Sequence, residues 1–226
     1  MARRRESLAN PNDRGAISDI LSRNYGPAYR LAFSLSGRER SARKISRRVL
    51  RQSLNVLTRW ETEDEAARWF AHYTVLTARR FGGGDGNELA KITDYPLFVT
   101  LLQTLRKVPT QQREAFFLTH GEKLDLRRMA TAMDCSCEAA SNYLVAATNC
   151  LGHVAGDKLG EFLTAVPKIV EKVTPPPEKI LVDVDRQVSR YIWPRRVRRW
   201  LVRLLWVLVL AGMVWLAFHW REMVAM

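Results

Sequence analysis

LDLRRMATAMDCSCEAASNYLVAATNCL, residues Leu124 to Leu151, is the stretch whose reading decides the fold. Leu124 to Met133 reads as a short helix, Asp134-Cys135-Ser136 as a turn, and Cys137 to about Leu151 as a longer helix. Two helices joined by a turn of about three residues make the helix-turn-helix pattern. Upstream, Leu97 to Arg106 forms another helix, ended by Val108-Pro109. Thr110 caps one more that runs to about His120, although Arg113 three residues on cannot complete a capping box. Downstream, residues 157–173 form an amphipathic segment interrupted at Pro167, and Pro175-Pro176-Pro177 stiffens the chain after it.

Further toward the N-terminus lies a separate helical block. Ile17, Ile20, Leu21, Tyr25, Ala28, Leu31, Ala32 and Leu35 recur at three-to-four spacing, with Pro27 expected to bend or split the helix and Gly37 to stop it. Residues 38–58 place Ala42, Ile45, Val49, Ser53, Val56 and Leu57 on one face, and arginines on the other. Thr62 with Glu65 is a capping box opening a third helix over about 63–80, whose inward set is Ala66, Trp69, Phe70, Tyr73 and Leu76. FGGGDGNE at 81–88 reads as a flexible linker between the blocks. Residues 1–14 are polar and basic and read as a disordered tail. Neither an internal repeat nor a strand-like alternation of useful length is visible.

The C-terminus carries a different signal. Between Leu204 and Phe218 there is no charge. The stretch Trp200 to Trp220 would make a helix of about 31 Å, close to the roughly 30 Å of a hydrocarbon core. Trp200, Trp206, Trp215 and Trp220 include interfacial indoles at both ends, and Arg203 can snorkel. A buried core helix, the alternative, would leave a polar stripe, and none is visible. Arg190, Arg195, Arg196, Arg198 and Arg199 flank the N-terminal side, so the expected topology is a single-pass anchor at the cell membrane. It leaves the N-terminal domains cytoplasmic and a short tail, 221–226, across the bilayer.

The 226 residues carry a net charge of +13. It is concentrated in 38–51 and 190–203, each contributing +6, so the rest of the chain is near neutral. Such a balance suggests a phosphate-bearing partner, which nucleic acid and membrane lipid both supply. Three cysteines in a chain facing the cytoplasm argue against a disulfide framework.

Leu105, Val108-Pro109, Arg113-Glu114, Phe116-Phe117-Leu118, Leu124, Met129-Ala130, Cys135-Ser136, Leu144, Ala147 and Leu151 together resemble the promoter −35-reading domain of extracytoplasmic-function sigma factors, a bacterial family. Tyr25, Tyr29-Arg30-Leu31-Ala32, Gly37, Ala42, Ile45, Val49 and Trp69 are similar to the same family's −10 and polymerase-binding domain. The resemblance covers about 130 residues in the family's order. It implies an all-α chain of two small helical domains. A sigma region-2-like three-helix domain spans 15–80, and a region-4-like helix-turn-helix domain spans 95–153. An 81–94 linker joins them, a 154–199 amphipathic and Pro/Arg-rich juxtamembrane segment follows, and the transmembrane helix covers 200–220.

The implied function is a membrane-tethered, sigma-factor-like transcription regulator acting through DNA and/or RNA polymerase. The alternative is an adaptor that kept the sigma fold to bind a protein partner at the membrane without promoter recognition. Two departures from the family weigh on the choice. Arg43, Lys44 and Arg48 stand where the resemblance implies acids docking on the polymerase clamp, and reversed charges at an interface cost several kcal/mol. From Cys137 to Cys150 no Lys or Arg appears, so the phosphate contacts that supply much of DNA affinity are missing from this helix. The candidate DNA contacts are Arg127 and Arg128, for phosphate, and Ser141, Asn142 and Tyr143. Among these Asn142 can pair with adenine. The same helix also reads as a retained structural element with a polar face.

Arg40, Arg43, Lys44, Arg47, Arg48 and Arg51 form a basic face with three readings: a solvated surface, a dock for anionic lipid, or a contact for nucleic-acid phosphate. Cys135, Cys137, Cys150 and His153 suggest a zinc set, but a helix over 137–150 separates its terminal cysteines by about 20 Å, so small buried thiols are expected. GGGDG lacks the Lys-Ser/Thr of a phosphate loop, and the histidines have no acid or nucleophile pattern around them. No catalytic residue, metal or cofactor is nominated.

Overall fold

The computed structural model describes residue 8, residues 13–81 and residues 86–224, without the side chains of 194–196, 198–199 and 214–224. It is all-helical, with no strand among the described residues. Helix α1 (Arg14–Ser36) begins where the Asp13 carboxylate accepts the Ala16 N–H at 3.1 Å. It ends at Gly37, whose φ of 70° lets its N–H reach the Phe33 carbonyl at 2.7 Å. Pro27 does not split α1. Its missing N–H is one bond lost in a helix whose Tyr25, Ala28, Leu31 and Ala32 are buried around it. Helix α2 (Glu39–Val56) packs Ala42, Ile45 and Val49 inward. Helix α3 (Glu63–Phe81) starts with Thr62 Oγ1 accepting the Glu65 N–H, while Glu65 reaches back to the Glu61 N–H at 2.8 Å. These three helices pack on one another, with α1 central.

Residues 82–85, most of the glycine run, lie outside the described residues, as do residues 1–7 and 9–12 of the expected tail. Leu8 donates its N–H to the Trp60 carbonyl and packs against the core. After a short turn come α4 (Pro96–Lys107) and α5 (Thr110–Phe116), the latter continued by a π turn over Phe117–Gly121. Then follow α6 (Leu126–Met133) and α7 (Cys137–Ala155). Their corner is Asp134, at φ 58° and ψ 51°, and the Cys135 N–H returns to the Ala130 carbonyl at 3.1 Å. Asp125 caps α6, and Ser136 caps α7 through the Ala139 N–H.

Helix α8 (Leu159–Glu171) runs through Pro167 without the expected interruption. Phe162, Val166, Ile169 and Val170 bury one stripe, and Phe162 sits between the Phe98 and Phe116 rings at centroid distances of 5.3 and 6.1 Å. Packing of that stripe outweighs the single lost bond.

Helix α9 (Pro177–Val224) is one element of 48 residues. Its first part lies on α1 and α2, burying Val184, Val188 and Ile192 at four-residue spacing. Arg14 of α1 pairs with Asp185 and donates to Ser189. The expected single-pass membrane topology is overturned here. Among the described residues no helix is long and apolar enough to cross a membrane. The near half of α9 is charged and packs on α1 and α2. Trp200, Arg203 and Trp206 are therefore not part of such a span, and Trp215 and Trp220 lie outside the residues whose side chains are described. The placement of the first 199 residues on the cytoplasmic side of a membrane falls with the anchor.

Candidate functional site

Three places in this fold concentrate polar chemistry: the joint between the two blocks, the outward face of α7, and a cleft between α2 and α9.

The joint is built on arginines. Arg79 of α3 donates two N–H bonds to Glu114 of α5, at 2.9 and 2.7 Å, and a third to the Met133 carbonyl at the end of α6. Glu114 is fully buried. Arg106 of α4 donates to the carbonyls of Ser34 and Leu35 at 2.7 and 2.8 Å. These are orphan acceptors at the negative end of α1, where a cation is favoured. Burial, with Arg113 nearby, pushes the Arg106 pKa down to about 10. Arg30 of α1 meets Glu122 at 3.1 and 3.3 Å, and burial raises the Glu122 carboxyl above its ordinary range although Arg30 works against it. The helix-turn-helix block is thus docked on the first block through α3 and α6.

On α7, Glu138, Asn142, Val145, Asn149 and His153 face water as a stripe at helical spacing, and Cys137 and Val154 at the two ends are exposed as well. Ser141 and Tyr143 are half-buried, and Tyr143 packs against the core. Arg127 is exposed on α6. Arg128 is drawn instead to Asp64 of α3 at 2.9 Å and to Asp125 at 3.6 Å. Of the five candidate DNA contacts, Asn142, Arg127 and Arg128 are exposed, and Arg128 alone of these is held by carboxylates. Asn149 escaped the sequence reading, yet its signal was there: it follows Asn142 by seven residues, two turns along the same face. Cys135 and Cys150 are half-buried while Cys137 is exposed, so the expectation of buried thiols fails at Cys137.

The basic face is brought together completely. Arg40, Arg43, Lys44, Arg47, Arg48 and Arg51 line one cavity with Gln187 and Arg190 of α9, about 460 Å³ in volume, with no carboxylate in its lining. Two of these cations are matched. Arg43 reaches Glu39 at 2.5 Å, and Arg47 reaches Asp183 of α9 at 3.0 Å. Two are held over the Phe81 ring: the Lys44 ammonium at 4.9 Å and the Arg48 guanidinium at 4.8 Å from its centroid. Arg40, Arg51 and Arg190 have no acidic partner among the described residues. Asp183 also accepts the Tyr25 hydroxyl at 3.0 Å, and burial, then the Asp183 charge, pushes that phenol well above its usual range. What the sequence showed as a convex face is therefore one wall of a cleft, with α9 as the other.

No protein-family model, no curated protein and no solved structure matches the chain.

Proposed function

We propose that this protein is a sigma-factor-like transcription regulator that acts through DNA, with α7 as the reading helix and RNA polymerase as a further contact. The carrying observation is the pair of outward amides, Asn142 and Asn149, on the second helix of the capped helix-turn-helix. They lie about 10 Å apart along α7, close to three base-pair steps of about 3.4 Å. An amide pairs with the adenine edge through two hydrogen bonds and needs no positive charge to do so. The order of the two blocks supports the same reading. With Arg127 the one exposed cation among the five candidates that has no carboxylate partner, few phosphates are neutralised, and non-specific affinity is weak and shallow in its salt dependence.

The test is selection of the full chain against random duplexes at low salt, followed by titration of an enriched site. Asn142→Ala weakens that site by about ten- to a hundredfold and leaves non-specific binding nearly unchanged. A second reading, an adaptor that binds a protein through the same stripe, is favoured by the cation-free face and by the cations of α2 at clamp-docking positions. It takes the lead if no sequence is enriched.

A further inference from the structure

The α2 cations repeat from Arg40 to Arg51, a rise of about 16 Å along one helix face. Opposite them Arg190 points its charge into a cavity that holds no carboxylate. Like charges set face to face cost free energy, and here the apolar contacts of Val184, Val188 and Ile192 hold α9 in place against that cost. An anion lying between the helices removes the repulsion and bonds both walls at once.

The shape of the site selects among anions. Its volume of about 460 Å³ is within the range of small-ligand sites and equals roughly fifteen water-sized volumes. That excludes a nucleic-acid duplex from the interior. A lone phosphate ion engages one turn of α2 and leaves the rest of the row unmatched. A chain of three phosphoryl groups reaches past one turn, so its oxygens meet cations of successive turns, and Arg guanidinium forks bond those oxygens in pairs. Lys44 and Arg48, stacked on Phe81, are already ordered, which lowers the entropy lost on binding.

We propose that the cleft between α2 and α9 binds a linear polyphosphate anion, either inorganic or the triphosphate tail of a nucleotide, with Arg190 and Gln187 closing it over the α2 cations. This site is separate from α7 and stands whether or not α7 reads DNA. Occupancy stabilises the fold, because the ligand binds the native state alone.

The experiment titrates the full chain calorimetrically with tripolyphosphate, ATP, AMP, orthophosphate and a single-stranded oligonucleotide at about 0.15 M salt. Tripolyphosphate and ATP bind, while AMP and orthophosphate bind at least about tenfold more weakly. Equal affinity for tripolyphosphate and ATP identifies the phosphoryl chain as the whole determinant, and tighter ATP binding identifies a nucleotide. Arg190→Gln weakens tripolyphosphate by about tenfold, the loss of one charge-assisted contact. Lys168→Gln, on exposed α8 surface, has no effect. Should Arg190→Gln loosen α9, seen as lost helical circular dichroism, Arg40→Gln with Arg51→Gln tests the opposite wall. Equal binding of orthophosphate and tripolyphosphate overturns the proposal. So does preference for the oligonucleotide, or wild-type affinity in both sets of variants.

Discussion

Replacing Glu114 by Gln tests the joint between the blocks at its most buried point. The carboxylate is fully buried and accepts two Arg79 N–H bonds, and the Arg79 guanidinium also holds the Met133 carbonyl. Gln keeps the volume but turns one acceptor into a donor aimed at a cation. Breaking one partner of a buried ion pair costs about 3–5 kcal/mol, chiefly because the other charge is left uncompensated. The Arg79 side chain is 33% exposed, so water recovers part of its solvation, and the expected loss is about 3 kcal/mol, the lower end. Against a total stability of about 5–15 kcal/mol that is a large fraction. The assay is urea unfolding, read as a lower midpoint at unchanged slope. By contrast Asp64→Asn, which opens the Asp64–Arg128 pair at 44% and 50% exposure, costs under about 1 kcal/mol. A loss below about 1 kcal/mol for Glu114→Gln, equal to that of the exposed pair, would refute the reasoning: the two blocks would not be joined there in solution.

Gly37→Ala costs at least about 2 kcal/mol in the same assay, since residue 37 has φ 70° and a Cβ there would collide with the Gly86 carbonyl and the Arg106 guanidinium. Ser136→Ala removes the α7 cap and lowers stability by about 1 kcal/mol. Glu122 gives a pH signature, with its folded pKa raised above the unfolded one by burial. Its protonated form is the one the fold favours, so its contribution is present below the ordinary carboxylate pKa and lost as pH rises through the shifted value. Glu122→Gln therefore flattens unfolding free energy above the ordinary carboxylate range, and there it costs less than about 1 kcal/mol; a steeper profile in the variant counts against this assignment.

Most of the helices were legible because each carries its own periodicity and its own stops. Gly37, Thr62 with Glu65, Ser136 and Asp125 act within one turn of chain, and local geometry is what a sequence states most directly. The expected breaks at the prolines failed for the opposite reason. Pro27 and Pro167 each remove one hydrogen bond, a cost visible in the sequence. The Phe162 and Tyr25 stripes that compensate are tertiary. The C-terminal run was misjudged by being read in isolation. Its uncharged composition fits a span, yet it is the far end of a helix that begins among Glu178, Asp183 and Asp185 and packs on α1.

The site was legible as residues and not as a shape. All six α2 cations were named from their spacing, because a helix puts i, i+3 and i+4 on one side whatever surrounds it. What that side faces depends on residues 136 to 150 positions away in the chain, through Arg47–Asp183 and the Arg190 that follows from it. No local pattern reports such a contact. The same holds in reverse for Arg128, which looked like a phosphate contact by neighbourhood and is pulled by Asp64 across the block joint. A basic residue's partner is set by the nearest unmatched carboxylate in space, and among the candidate arginines Glu39 takes Arg43, Asp183 takes Arg47 and Asp64 takes Arg128. Of the candidate arginines, Arg40, Arg51 and Arg127 are exposed without an acidic partner among the described residues, and Arg190 of α9 joins the first two in one cleft. A phosphate-bearing ligand that met this protein would therefore find three unpaired arginines together between α2 and α9, but beside α7 only Arg127 and the Asp64-paired Arg128.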